Sequence, residues 1–152
     1  MTTCLIIRVA ESADREAVFA LAREFATSFD VEAANFGLVF DELMQSPDAR
    51  LLIALVDNNV VGYLLGFDHP AFFANGRVAW VEEIMVEPDQ RRRGIGRKLM
   101  AEFEHWTASR NARLIALATR RAGDFYRSLG YEESATYFRR LLETEHAASH
   151  AS

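Results

Sequence analysis

One stretch, residues 80–100 (WVEEIMVEPDQRRRGIGRKLM), limits what the rest of the chain can be. Val81, Ile84, Met85 and Val86 form an apolar run of the length of a buried strand. Pro88 and Asp89 break it. Arg91, Arg92 and Arg93 lead into Gly94, Ile95 and Gly96. From there Ile95, Leu99, Phe103 and Trp106 recur at the spacing of one helix face. Glycines at a helix start allow a tight turn and close approach of a ligand to the backbone. The first helical turn also offers unpaired N–H groups and the positive end of the helix dipole, a ready seat for an anion. Five basic residues (Arg91, Arg92, Arg93, Arg97, Lys98) stand within eight positions around these glycines, so the expected guest is a phosphate or pyrophosphate.

Two familiar phosphate loops are excluded by residue identity. A Walker loop requires G-x-x-x-x-G-K-[ST], which does not occur here. The dinucleotide fingerprint requires a third glycine, and Leu99 stands in its place.

The elements around this unit alternate. Leu5, Ile6, Ile7 and Val9 predict a strand. Ser12 is positioned to cap a helix whose face is Val18, Leu21, Ala22, Phe25 and Phe29. A second helix is expected through Phe36, Val39, Phe40, Leu43 and Met44, stopped at Pro47. Residues 51–56 and 60–67 read as a hairpin across Asp57, Asn58 and Asn59. Residues 68–77 read as a loop whose Phe72 and Phe73 either fold back onto the core or line a substrate mouth. After the central unit, residues 113–118 predict a strand. Ala122, Phe125, Tyr126 and Leu129 predict a short helix closed by Gly130. Residues 131–138 predict a last strand. The pattern implies an α/β fold: a mixed, mostly antiparallel central sheet covered by helices on both faces. Residues 1–142 are expected to form a single domain, and the polar, histidine-bearing residues 143–152 a disordered tail.

Arg91-x-x-Gly94-x-Gly96 after an apolar strand resembles the R/Q-x-x-G-x-G/A loop of the GNAT superfamily, the acyl-CoA-dependent N-acyltransferases. A second segment, Ala122-x-x-Phe125-Tyr126-x-x-x-Gly130-Tyr131, is similar to the A-x-x-F-Y-x-x-x-G-F/Y segment of the same family, and the element order is also similar. The resemblance implies acetyl-CoA as co-substrate, with no metal, and an amine acceptor on a small molecule, a peptide N-terminus or a lysine. It implies that Ile84, Met85 and Val86 offer backbone groups to the pantetheine chain. Arg91, Arg92, Arg93, Gly94, Ile95, Gly96 and Arg97 would serve the pyrophosphate. Thr119 stands near the point where many members carry Asn, and Phe125 lies in the second motif. Both are candidate cofactor-binding residues. Tyr126 matches a tyrosine that acts in many members as general acid toward the leaving thiolate.

An amine of pKa about 10.4 is protonated at neutral pH, and its attack on a thioester needs a base. Glu82 and Glu83 are the candidates, and strand alternation sends them to opposite faces. His69 is a weaker one. No Ser-His-Asp set suggests a covalent acyl-enzyme. A non-catalytic acyl-CoA-binding module is the alternative reading.

Charge divides unevenly. Residues 1–76 carry four arginines and eleven acids, and residues 77–152 thirteen basic residues and eleven acids. The acidic half argues against nucleic acid and tolerates a cationic acceptor. No run reaches the ~18 apolar residues of a membrane span, and the start does not read as a signal peptide. The lone Cys4 has no internal disulfide partner. A cytoplasmic location follows as the default, and a homodimer is common in the family, with Phe138, Leu141 and Leu142 as candidates for an interface or the core.

Overall fold

A computed structural model describes residues 3–142. Two compact units divide the chain, residues 1–117 and 118–152.

The first unit is built on a five-stranded sheet in the order β1-β2-β3-β4-β5. The strands are β1 (Leu5–Val9), β2 (Ala49–Val56), β3 (Asn59–Ala71), β4 (Gly76–Val86) and β5 (Ala112–Leu117). The first four pair antiparallel, and β5 lies parallel to β4. Helices α1 (Arg15–Phe25) and α2 (Ala33–Gln45) precede β2, and α3 (Ile95–Ser109) links β4 to β5. A helix between β4 and β5 follows from their direction, since parallel neighbours need a crossover.

Strand alternation divides the side chains between two layers. Val18, Leu21, Ala22 and Phe40 of the two leading helices share one core with Leu51, Ile53, Leu55, Tyr63, Leu65 and Met85. Residues of the other parity face α3, whose Ile95, Leu99, Met100 and Phe103 are buried. The closest approach is at Gly66, where an added Cβ would lie 2.3 Å from the Phe103 ring. Gly66 is thus a packing requirement. Gly66→Ala is expected to lower stability by about 2 kcal/mol through overpacking, measured as the shift of a urea midpoint at unchanged slope.

Several sequence expectations need correction. The first helix starts after a 3-10 turn, Ser12–Asp14, so Ser12 is not its cap. Asp14 is instead taken by Arg8 at 2.8 Å and by the Glu11 N–H at 2.7 Å. The segment 68–77 is mostly strand. β3 continues through Pro70 to Ala71, leaving only residues 72–75 as the tip. Its pairing with β4 sustains it, from Asp68↔Ala79 to Ala71↔Gly76. Phe72 and Phe73 do not return to the core: they are 103% and 76% exposed.

The second unit contains α4 (Gly123–Ser128). Gly130 ends it with φ +93°, and the Tyr131 N–H returns to the Tyr126 carbonyl at 3.0 Å. The expected strand at 131–138 does not form; residues 131–142 carry no regular element. Apolar alternation there meets no ladder partner among the described residues, and a strand without a partner has no stability of its own. Phe138 and Leu142 are 87% and 83% exposed, so the core reading of that segment fails. The expected tail at 143–152, with His146 and His150, lies outside the described residues. No described helix is long and apolar enough to cross a membrane.

Candidate active site

The first unit brings the central candidates together along β4 and the start of α3. Pairing of β4 with β3 carries an irregularity: Leu65 faces Glu83, but Gly66 faces Val81, so Glu82 is the extra residue of a bulge. A bulge re-aims side chains and interrupts the ladder. On the other edge, the parallel pairing with β5 runs from Arg77↔Ala112 only to Val81↔Leu117. Beyond that point β5 has ended. Among the described residues, positions 82–86 of β4 therefore have a strand neighbour on one side only. Ile84, Met85 and Val86 lie on this one-sided stretch. An exposed strand edge is a template for an extended guest.

The two glutamates differ in environment. Glu82 is exposed and Glu83 half-buried. Glu83 shares its sheet face with Tyr63, Leu65 and Met85 through the register Leu65↔Glu83 and Tyr63↔Met85. The Tyr63 hydroxyl donates to Glu83 Oε1 at 2.7 Å. Burial raises the pKa of Glu83. The Tyr63 hydrogen bond works against that rise and the charge of Glu82 adds to it, so the balance lies above the usual glutamate value. Tyr63 itself is 2% exposed. Burial first, then the Glu83 charge, raises its pKa, so the phenol keeps its proton. His69 lies on β3 and is exposed.

After β4 the chain makes a 3-10 turn at Pro88–Gln90 and then the arginine loop. Arg91 does not extend away from the strand. Its Nε donates to the Val86 carbonyl at 3.0 Å, and its guanidinium lies 3.8 Å from the Met85 sulfur. Arg93 donates to the Gln90 side chain at 3.3 Å. Arg92 and Gly94 both have left-handed backbones, φ +65° and +80°. Gly94 is the N-cap of α3, and no side chain caps the turn that follows. A Cβ at Gly94 would meet nothing within 4 Å. The glycine is therefore favoured by its φ and not by protein neighbours. Ile95 is buried and anchors the helix start, while Gly96 opens its first turn and Arg97 is exposed. Strand edge, left-handed loop and uncapped helix start suit an extended chain ending in a pyrophosphate.

In the second unit the Thr119 hydroxyl accepts the Ala122 N–H at 3.0 Å and so shapes the turn before α4. Phe125 and Tyr126 meet edge-on with ring centroids 5.0 Å apart, and Tyr131 packs on Tyr126 at 6.0 Å. Tyr126 is 7% exposed. Burial raises its pKa, so it too carries its proton at neutral pH.

Sequence reasoning missed Tyr63. The available signal was the one polar side chain in an otherwise apolar segment, VVGYLLGF. Its meaning depends on cross-strand register, which periodicity does not give.

None of the curated proteins matches the chain. Among solved structures it is similar to an acetyltransferase of Trypanosoma brucei, at 20% identity and a TM-score of 0.80 over 91% of this chain and 100% of that one. An aminoglycoside N-acetyltransferase in complex with CoA is similar at 20% identity and 0.81, covering 92% of this chain and 97% of the other. A glucosamine-6-phosphate N-acetyltransferase from Arabidopsis thaliana gives 16% and 0.82, over 92% and 99%. These likenesses establish the fold. The model of the acetyltransferase (GNAT) family matches residues 15–131, which span both motifs and every element from α1 to α4. With that match over most of its length, the chain belongs to the GNAT family of acetyltransferases.

Proposed function

We propose that this protein transfers the acetyl group of acetyl-CoA to a primary amine by direct attack. Glu83 serves as base, directly or through water, and Tyr126 as acid. The observation that carries the reading is continuous: the one-sided edge of β4 leads into the left-handed loop at Gly94 and the uncapped start of α3.

Acetyl-CoA supplies an acyl thioester when bound. The backbone of Ile84, Met85 and Val86 would hold its pantetheine arm by strand addition. The N–H groups of Ile95, Gly96 and Arg97 would hold the pyrophosphate, with Arg92, Arg93 and Arg97 supplying positive charge. Arg91 acts from behind, tying the loop to the end of β4. Glu83 would take a proton from the incoming ammonium, a task suited to a carboxylate whose pKa is raised by burial. Tyr126 would give its proton to the departing thiolate. Glu82, exposed on the bulge, contributes charge rather than proton transfer.

Residues 1–76 carry eleven acids against four arginines, a balance that tolerates a cationic acceptor. A cationic amine is the acceptor class that this charge favours. The named amines of the similar structures, aminoglycoside and glucosamine-6-phosphate, are a starting set for a screen.

The test is thermal unfolding against rising acetyl-CoA, with NADH and ATP as controls. At about 100 times its Kd the ligand adds about 2.7 kcal/mol. Stabilisation by acetyl-CoA alone, followed by amine-dependent CoA release, supports the reading; no response from folded protein overturns it. Tyr126→Phe is expected to lower kcat about 10²-fold, the low end for general acid catalysis because a thiolate is a good leaving group. Acetyl-CoA binding, read from the same thermal shift, is expected to stay unchanged.

A further inference from the structure

We infer that Tyr63 is a positioning residue for the transfer reaction: its hydroxyl fixes the Glu83 carboxylate, leaving the second carboxylate oxygen to face the acceptor amine. The inference rests on the acetyltransferase reading above and on Glu83 as its base.

Glu83 is a long side chain with several rotamers, set beside a bulge that disturbs the ladder. Left alone, such a side chain samples many directions. Tyr63 samples almost none. It is 2% exposed and belongs to the core cluster formed with Val18, Leu21, Phe40, Ile53 and Met85. The register places Tyr63 diagonally across from Glu83 on the same face, within reach of a long side chain. The bond from its hydroxyl to Glu83 Oε1, 2.7 Å, thus ties a mobile carboxylate to an immobile part of the core. It uses one oxygen and leaves Oε2 for the substrate proton.

The direction of donation is fixed as well. Burial holds the Tyr63 phenol in its neutral form, so it donates and the carboxylate accepts. The titratable groups acting on Glu83 are Tyr63 from β3 and Glu82 from its own strand, with opposite effects. Tyr63 favours the ionised form that a base needs. The aliphatic neighbours Leu64 and Leu65 offer no substitute donor.

The experiment compares kcat, KM and the pH profile of the full-length wild type, Tyr63→Phe, Glu83→Gln and the double variant. Tyr63→Phe is expected to lower kcat about tenfold at neutral pH, to leave the KM for acetyl-CoA unchanged and to move the acid limb toward higher pH. In the Glu83→Gln background the same change is expected to cost almost nothing, because its effect passes through the carboxylate. A fluorinated tyrosine at position 63 keeps the ring and strengthens the donor, so the limb is expected to move toward lower pH. This variant also carries the test if Tyr63→Phe folds poorly. An active wild type whose Tyr63→Phe or fluorotyrosine form leaves the limb in place overturns the inference and spares the acetyltransferase reading. Equal kcat losses from Tyr63→Phe in both backgrounds also overturn it. A wild type that transfers no acetyl group to any amine overturns both. The 13C carboxyl shift of Glu83, titrated without substrate, separates these cases: Tyr63→Phe is expected to raise its midpoint, and an unmoved midpoint overturns the inference.

Discussion

Replacing Glu83 by Gln is expected to lower kcat by about 10²- to 10³-fold, the range of a lost general base. The fold should survive it. The amide keeps the shape of the side chain, and the Tyr63 hydroxyl can donate to its oxygen as it does to Oε1. The pH dependence identifies the group. Glu83 is a base only when ionised, and burial raises its pKa above the usual value, with the Tyr63 bond opposing and the Glu82 charge assisting. Wild-type activity should therefore fall as pH drops through that raised pKa, and the limb should vanish in Glu83→Gln. Glu82→Gln has the opposite signature. Removing its charge lets the Glu83 pKa fall, so the acid limb moves to lower pH while kcat stays within a few-fold. If Glu82→Gln lost as much activity as Glu83→Gln, the base would be shared or would be Glu82. Stability gives an independent reading. A raised carboxyl pKa means that the folded state binds its proton more tightly than the unfolded chain. The wild type accordingly loses stability as pH rises from the ordinary glutamate value through the folded one. Glu83→Gln should remove that loss and show equal or higher stability at neutral pH.

Replacing Asp68 by Ala is expected to lower stability by about 3 kcal/mol, with no direct effect on chemistry. Its carboxylate is fully enclosed on the α3 side of β3. Arg77 of β4 donates to Oδ1 at 2.8 Å, and Arg110, at the C-terminal end of α3, donates to Oδ1 at 2.9 Å. Arg110 also contacts Asp48 at 2.7 Å and stacks 5.0 Å from the Trp106 ring centroid. One buried carboxylate thus joins the end of β3, the start of β4 and the end of α3. Truncation leaves two half-buried guanidiniums with the exposed Asp48 as their remaining carboxylate, and poorly paired, partly buried charge is what makes such changes costly. Asp68→Asn should fall between, since it keeps the hydrogen-bonding shape without the charge. Burial alone would raise the Asp68 pKa, but the hydrogen bonds from Arg110 and Arg77 and their charges outweigh it and hold it below the usual carboxylate value. A depressed carboxyl pKa contributes stability above the unfolded value, about 3.9, and loses it as pH falls through the folded one. The gap between wild type and Asp68→Ala should be constant from about pH 5 to 8 and close in stronger acid. Urea midpoints across that range measure it, and a gap independent of pH would discard the ionic explanation.

Local pattern carried much of the organisation. The strand–loop–helix unit at 80–100 was readable because each part has a short-range cause: an apolar strand, a proline break, glycines with special backbone needs and a helical face. The helices at Arg15–Phe25 and Ala33–Gln45 followed from their stripes, although the first ends at Phe25 and leaves the expected Phe29 exposed beyond it, and the hairpin at residues 57–58 followed from its turn chemistry. What failed was where one segment's fate depends on another. Residues 131–138 alternate like a strand yet form none, because alternation describes a face and not a partner. Residues 68–71 look like a loop yet continue β3, because β4 supplies a ladder up to Gly76.

The candidate site divides along the same line. The sequence by itself determined the glycine loop proposed to hold an anion, since Gly94 must supply a left-handed backbone at a helix start and the arginines crowd around it whatever the rest of the chain does. It determined that Glu82 and Glu83 compete for one role, and that Phe125 and Tyr126 form a unit with Gly130. Only the tertiary structure distinguishes the surroundings of the two glutamates, on which the proposed choice of Glu83 rests. A bulge at Glu82, the end of pairing at Val81↔Leu117 and the diagonal approach of Tyr63 are properties of register between strands. Register depends on how whole faces pack, so no local pattern contains it. The same holds for Asp68: it forms one ion cluster with Arg77 and the distant Arg110 because the end of β3, the start of β4 and the end of α3 meet.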